Sequence, residues 1–135
     1  MTSLIVVQVK AFSFYWRKFM KKTVSIKRNK DFRLIYKRGK SRVTPVLAMY
    51  VRKNKNTANR IGITVSTKVG KAVVRNRVRR RIREAYRKNE GAFLSGYDII
   101  FVSRVRAASV SFSEIEKNIL ILSRSLGILR EEDAE

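Results

Sequence analysis

Between Lys71 and Lys88 the chain carries seven arginines and two lysines against a single carboxylate, Glu84. Guanidinium groups stay charged at physiological pH and present a planar fork of N–H donors that matches a phosphate. The chemistry such a segment can do is recognition of a polyanion rather than bond breaking. The rest of the sequence agrees: it has no histidine and no cysteine. The commonest general base, the thiolate nucleophile and the usual zinc ligands are therefore missing. A self-sufficient metal nuclease would need clustered carboxylates. Here Asp31, Glu84, Glu90 and Asp98 are scattered, and the other acids fall in the last helical stretch and the tail.

A run this basic repels itself, so something must hold its shape. At about 100° per residue, Val74, Val78, Ile82 and Ala85 fall in one narrow sector with Tyr86 at its edge. Asn76, Arg79, Arg80, Arg83 and Arg87 fall opposite, flanked by Arg75 and Arg77. The spacing predicts an amphipathic helix anchored to a core by one stripe. A disordered tail would not need the stripe. Solvated helical faces mix Glu with Lys at i,i+4; here the pairs would be Arg with Arg. A basic helix on an anionic membrane needs bulky apolar residues to insert, and Val and Ala serve that poorly.

The elements that must position this helix are legible on both sides. Asn29 is expected to cap a helix through "KDFRLIYKR" that Gly39 ends, with Phe32, Ile35 and Tyr36 sharing a face. "PVLAMYVRK" alternates: Leu47, Met49 and Val51 point one way, and Val46, Ala48 and Tyr50 the other. Pro45 suits a strand start or a break between two strands. "RIGITVS" alternates more sharply, with Ile61, Ile63 and Val65 as a core face and Gly62, Thr64 and Ser66 as a small, polar, open floor. "YDIIFVSR" reads as a largely buried strand. "SFSEIEKNILILSRSLG" carries two overlapping capping boxes, Ser111 with Glu114 and Ser113 with Glu116, and Gly127 stops it.

The chain has 135 residues and a formal net charge of +22, from 32 Lys and Arg against 10 Asp and Glu. That length suits one domain with a modest core. An excess of this size destabilises a compact state on its own and marks nucleic acid as the natural partner. No apolar run is long enough to span a membrane. The first nineteen residues read as an extension of unknown role, 20–127 as the nucleic-acid-binding domain and 128–135 as an acidic tail.

Residues 60–87, "RIGITVSTKVGKAVVRNRVRRRIREAYR", resemble the signature of the protein subunit of bacterial ribonuclease P. The match includes a strand reading G-x-x-V-S, then K-x-G-x-A-V, then Arg75, Asn76 and Arg77, and then R-R-x-I-R-E. Thr67 stands where a second Lys is common and Arg79 where Lys is usual. The resemblance implies an α+β fold: a two-layer αβββαβα sandwich with a mixed central sheet and a left-handed βαβ crossover, against the general right-handed rule. It also implies a non-catalytic protein that assists a large catalytic RNA in removing the 5′ leader of precursor tRNA. Mg²⁺ would be held mainly by that RNA, in a cytoplasmic ribonucleoprotein with no membrane and no obligate protein partner. The catalytic RNA is expected on Lys68, Lys71, Arg75, Asn76, Arg77, Arg79, Arg80 and Arg83. The leader is expected on Phe32, Tyr36, Val46, Ala48, Tyr50, Thr64 and Ser66. From the residues alone, Phe32 and Tyr36 would pack inward; the resemblance makes them walls of a cleft. A structural RNA-binding protein, such as a ribosomal protein, is the alternative of a different class.

Overall fold

The computed structural model describes residues 23–130. The expected extension over 1–19 and the expected domain start at Met20 lie outside the described residues. The chain runs β1 (Thr23–Ser25), α1 (Asn29–Arg38), β2 (Lys40–Val43), β3 (Leu47–Lys53), β4 (Asn59–Val65), α2 (Ala72–Asn89), β5 (Tyr97–Ser103) and α3 (Phe112–Ser125). The expected order thus gains a short leading strand. The five strands form one mixed sheet in the order β1-β4-β5-β3-β2. β4 is parallel to β1 and β5, while β3 is antiparallel to β5 and β2. The α+β class inferred from the sequence is the one observed.

Alternation decides which face each strand gives to which helix. Leu47, Met49 and Val51 of β3, Ile61 and Val65 of β4, and Ile99 and Phe101 of β5 are buried against α2 and α3. From α2 this core takes Val78, Ile82, Ala85 and Tyr86, all fully buried. They are the sector that the arginine spacing requires, with Val74 packed at its margin. From α3 it takes Ile115, Ile119 and Leu122. Each of the buried Val, Ile and Leu side chains contributes about 1.5–3 kcal/mol, which offsets the mutual repulsion on the outer face of α2. The opposite face of the sheet carries a smaller cluster: Ile26, Ile35 and Ile100, with Phe32, Tyr50 and Val102 against it. This is where α1 lies.

Three local expectations change. Asn29 is the first residue of α1 rather than its cap, and Arg28 occupies the cap position without a side-chain bond. The Arg28 carbonyl already accepts from the amides of Asp31 and Phe32. Of the two capping boxes, only Ser111 caps α3, its Oγ accepting from the Glu114 amide at 3.1 Å. Ser113 lies inside the helix, and Glu116 instead bonds Asn89 at 2.9 Å and Lys88 at 3.3 Å, tying α3 to α2. The fold also continues past Gly127. Ile128 is buried, and Leu129 bridges to Phe93.

Candidate nucleic-acid interface

The Arg-rich surface begins where β4 ends. After Val65 and Ser66 the chain makes one 3-10 turn, Thr67–Val69, and then Gly70 at φ +153°, a value L side chains rarely adopt. Lys71 precedes α2, whose first turn has no side-chain cap and no acid. The positive end of the helix dipole, with Lys71 beside it, favours an anion here. Lys68, Lys71, Asn76, Arg80 and Arg83 are exposed; Arg75, Arg77 and Arg79 are half-buried. Arg75 Nε donates to the Gly70 carbonyl at 3.1 Å, and Arg79 donates to Asn76 Oδ1 at 2.9 Å. These contacts fix two guanidinium groups before any ligand arrives. The Nε of Arg77 is buried without a hydrogen-bond partner. All eight residues expected to hold the catalytic RNA thus lie on this helix and its lead-in. Arg81, outside that set, spends a donor on the Val110 carbonyl at 3.1 Å and braces α2 against the approach to α3.

The second surface is the sheet face beneath α1, and strand pairing sets it out in rows. One row reads Ser41, Tyr50, Ile100, Gly62; the next reads Val43, Ala48, Val102, Thr64. α1 is pinned at one end by charge. Asp31 lies 3.4 Å from Arg60, whose Nε and a terminal nitrogen both reach the Asp98 carboxylate, at 2.8 and 2.7 Å. Burial alone would raise the Asp98 carboxyl. Hydrogen bonds from Arg60 and Asn54 outweigh that and hold it below the usual carboxylate range. Asp98 raises Arg60 in turn.

Further along α1, the Phe32 ring lies over Gly62. A Cβ there would sit 2.6 Å from two ring carbons, so the close approach requires glycine. The floor expected to be open is roofed at this point. Tyr36 OH and Thr64 Oγ1 share a hydrogen bond of 3.2 Å, and the Tyr36 ring meets Tyr50 edge-on at 4.8 Å between centroids. Phe32 is partly core, whereas Tyr36 remains 37% exposed. The open part of the face is therefore the Val43–Thr64 row, walled by Tyr36 and Tyr50, with Ser66 exposed beyond it.

Two of the expected cleft residues do not line it openly. Val46 does not share the face of Tyr50. β3 begins only at Leu47, and Val46 sits in a turn that Thr44 organises, its Oγ1 accepting from the amides of Val46 and Leu47. The alternation breaks there, and the Val46 side chain is buried in the main core. Ala48 is on the cleft face but nearly buried, so it serves as floor. Val43, 56% exposed at the end of that row, and Val102 escaped the sequence reading. Strict alternation from Ala48 leads to Val46 and Arg42 instead; Val43 joins this face only through its pairing with Ala48 across the Thr44 turn.

The arrangement is an α+β scaffold with two candidate surfaces: a cationic helix on one face and an aromatic-walled cleft on the other. Comparison with known proteins gives the particular family. A model of the family described as Ribonuclease P matches residues 20–127. The ribonuclease P protein component of Clostridioides difficile (strain 630) is 48% identical over 99 residues, 73% of this chain and 87% of that protein. That of Alkaliphilus metalliredigens (strain QYMF) is 40% identical over 110 residues, 82% and 99% of the two chains. The solved RNase P protein of Staphylococcus aureus aligns with a TM-score of 0.73 at 33% identity, covering 78% of this chain and 97% of that one. The Thermotoga maritima protein aligns at 0.68 and 34%, covering 74% and 96%. The chain belongs to the ribonuclease P protein family, as an RNA-binding protein component of an endonuclease that works with an RNA subunit. The ribosomal-protein alternative is not favoured.

Proposed function

We propose that this component performs no bond cleavage itself and acts by binding two RNA elements at once. The Arg-rich face of α2 and its lead-in take the catalytic RNA, and the cleft under α1 takes the single-stranded 5′ leader of precursor tRNA. Hydrolysis of the phosphodiester then falls to the RNA, with Mg²⁺ supplying an activated water, in the cytoplasm. The carboxylates nearest the cleft do not suit a resident Mg²⁺, because Arg60 already engages both Asp31 and Asp98. The ion is accordingly assigned to the RNA.

The observation that carries the reading is the Tyr36–Tyr50 pair beside a floor of small side chains. Aromatic faces beside an open strip suit unstacked bases, and such stacking is sequence-tolerant. The strip also runs toward Ser66, two residues before Lys68. A strand lying in it would reach the start of α2 without leaving the protein. Tyr50→Ala tests this in the assembled holoenzyme. Stacking is worth about 1–3 kcal/mol per base, so precursor affinity is expected to fall by roughly ten- to a hundredfold while mature tRNA binds as before. Equal losses on both substrates would remove the cleft from the mechanism.

A further inference from the structure

The cations outside these two surfaces are not spread evenly. Lys30, Arg33 and Lys37 stand on α1 and are all exposed. Among the described residues none of the three has an ion-pair or side-chain hydrogen-bond partner. Their spacing of three and four residues stacks them on one side of the helix, over about 10 Å of its length at 1.5 Å per residue. Like charges at these spacings destabilise a helix. The one acid of α1, Asp31, is turned to Arg60 on the sheet. Among the described residues no acid pairs with the stripe, so a polyanion is the complement it lacks.

The place of the stripe selects which polyanion. By helical spacing Arg33 lies about 60° around α1 from Tyr36, the exposed aromatic wall of the cleft. The stripe is thus continuous with the mouth of the cleft. The Arg-rich face of α2, by contrast, belongs to a helix packed on the other side of the sheet. Only the start of α2 comes near the end of the cleft, beside Ser66, whereas a strand seated under Tyr36 is already next to the stripe.

We infer that Lys30, Arg33 and Lys37 form a phosphate rail for the backbone of the precursor leader where it leaves the cleft. Bases are held by the aromatic wall, and the phosphates beyond them by the outer face of the same helix. The inference rests on the proposed role of the cleft and extends it to leader length: nucleotides beyond those in the cleft add affinity through charge, without sequence preference.

The test is Lys30→Gln, Arg33→Gln and Lys37→Gln combined, in reconstituted holoenzyme. Gln keeps the helix-forming preference, and the sites are exposed, so thermal unfolding should match the unaltered protein or rise slightly as the repulsion is relieved. Arg33→Lys alone keeps the charge and should bind normally. For a precursor with a long leader, the log–log slope of affinity against salt should fall by about 2 units, at about 0.7 per single-strand phosphate. Mature tRNA and the isolated catalytic RNA should bind as before. Shortening the leader to the few nucleotides that fill the cleft should abolish the difference, while the effect of Tyr50→Ala persists. An unchanged slope would make the stripe a solvated face. A loss on catalytic RNA would assign it to that partner, and a loss on mature tRNA to the tRNA body; each result overturns the inference. If Tyr50→Ala spares the precursor, the cleft reading itself has failed, whichever way the rail behaves.

Discussion

Under the proposed function, the two faces of the sheet would hold RNA by opposite means. On the α2 side the ligand-facing residues are long and charged, and the core lies wholly beneath them. Val78, Ile82, Ala85 and Tyr86 are fully buried while Asn76, Arg80 and Arg83 are exposed on the far side of the same helix. On the α1 side the two roles overlap. Phe32 belongs to the small core and also roofs the floor, and Tyr50 packs against that core while walling the cleft. Separated roles allow RNA binding on α2 to be changed without touching stability. Overlapping roles couple the two on α1.

The largest expected effect probes the separation from beneath. Val78→Asp or Ile82→Asp should unfold the domain, because a buried unpaired carboxylate costs several kcal/mol, on the order of a small domain's whole stability. Chemical denaturation of each variant checks this. A folded variant with RNA affinity alone impaired would mean that α2 does not divide cleanly into an anchoring and a binding face.

The next effect probes the same helix from above. Arg75→Ala, Arg77→Ala and Arg79→Ala should each reduce the log–log salt slope of catalytic-RNA binding by about 0.7–0.9 units, and unfolding midpoints should barely move. Arg75 and Arg79 are the ones held in place by Gly70 and Asn76. Asn76→Ala should therefore reproduce part of the Arg79 loss without removing a charge, which separates orientation from electrostatics. Three unchanged slopes would leave α2 as a solvated face.

The contrast between the faces also explains what could be read in the sequence. The α2 surface is set by periodicity within eighteen residues of one helix, so its core stripe and its arginines were both legible. So were β3, β4 and β5, whose apolar patterns are strong. The cleft depends on which strands are neighbours and where alternation stops. Thr44 breaks the pattern by bonding two following amides, and this moves Val46 to the other core. β2 has four exposed residues and hence no apolar signal of its own, so Val43 was missed. Gly62 read as open floor because a helix more than twenty residues away in sequence fills the space above it; only the tertiary fold brings Phe32 there.

That last contact gives the smallest and most discriminating test of the comparison. Gly62→Ala adds one methyl group at a point 2.6 Å from the Phe32 ring carbons, closer than any relaxed contact. Gly62 itself does not need a positive φ, so the backbone can accept alanine and the conflict is with the ring alone. Phe32 is only partly buried and can shift outward, which limits the cost to about 1–3 kcal/mol, the usual range for overpacking. If roles overlap on this face, the displaced ring should carry α1 and Tyr36 with it and lengthen the Tyr36–Thr64 hydrogen bond. Precursor binding by the holoenzyme should then weaken several-fold, with mature tRNA and the salt slope for catalytic RNA unchanged. Paired affinity measurements, read beside the unfolding midpoint, decide the matter. A loss of stability with precursor binding intact would show that Phe32 is a core residue only, and that the cleft begins at Tyr36.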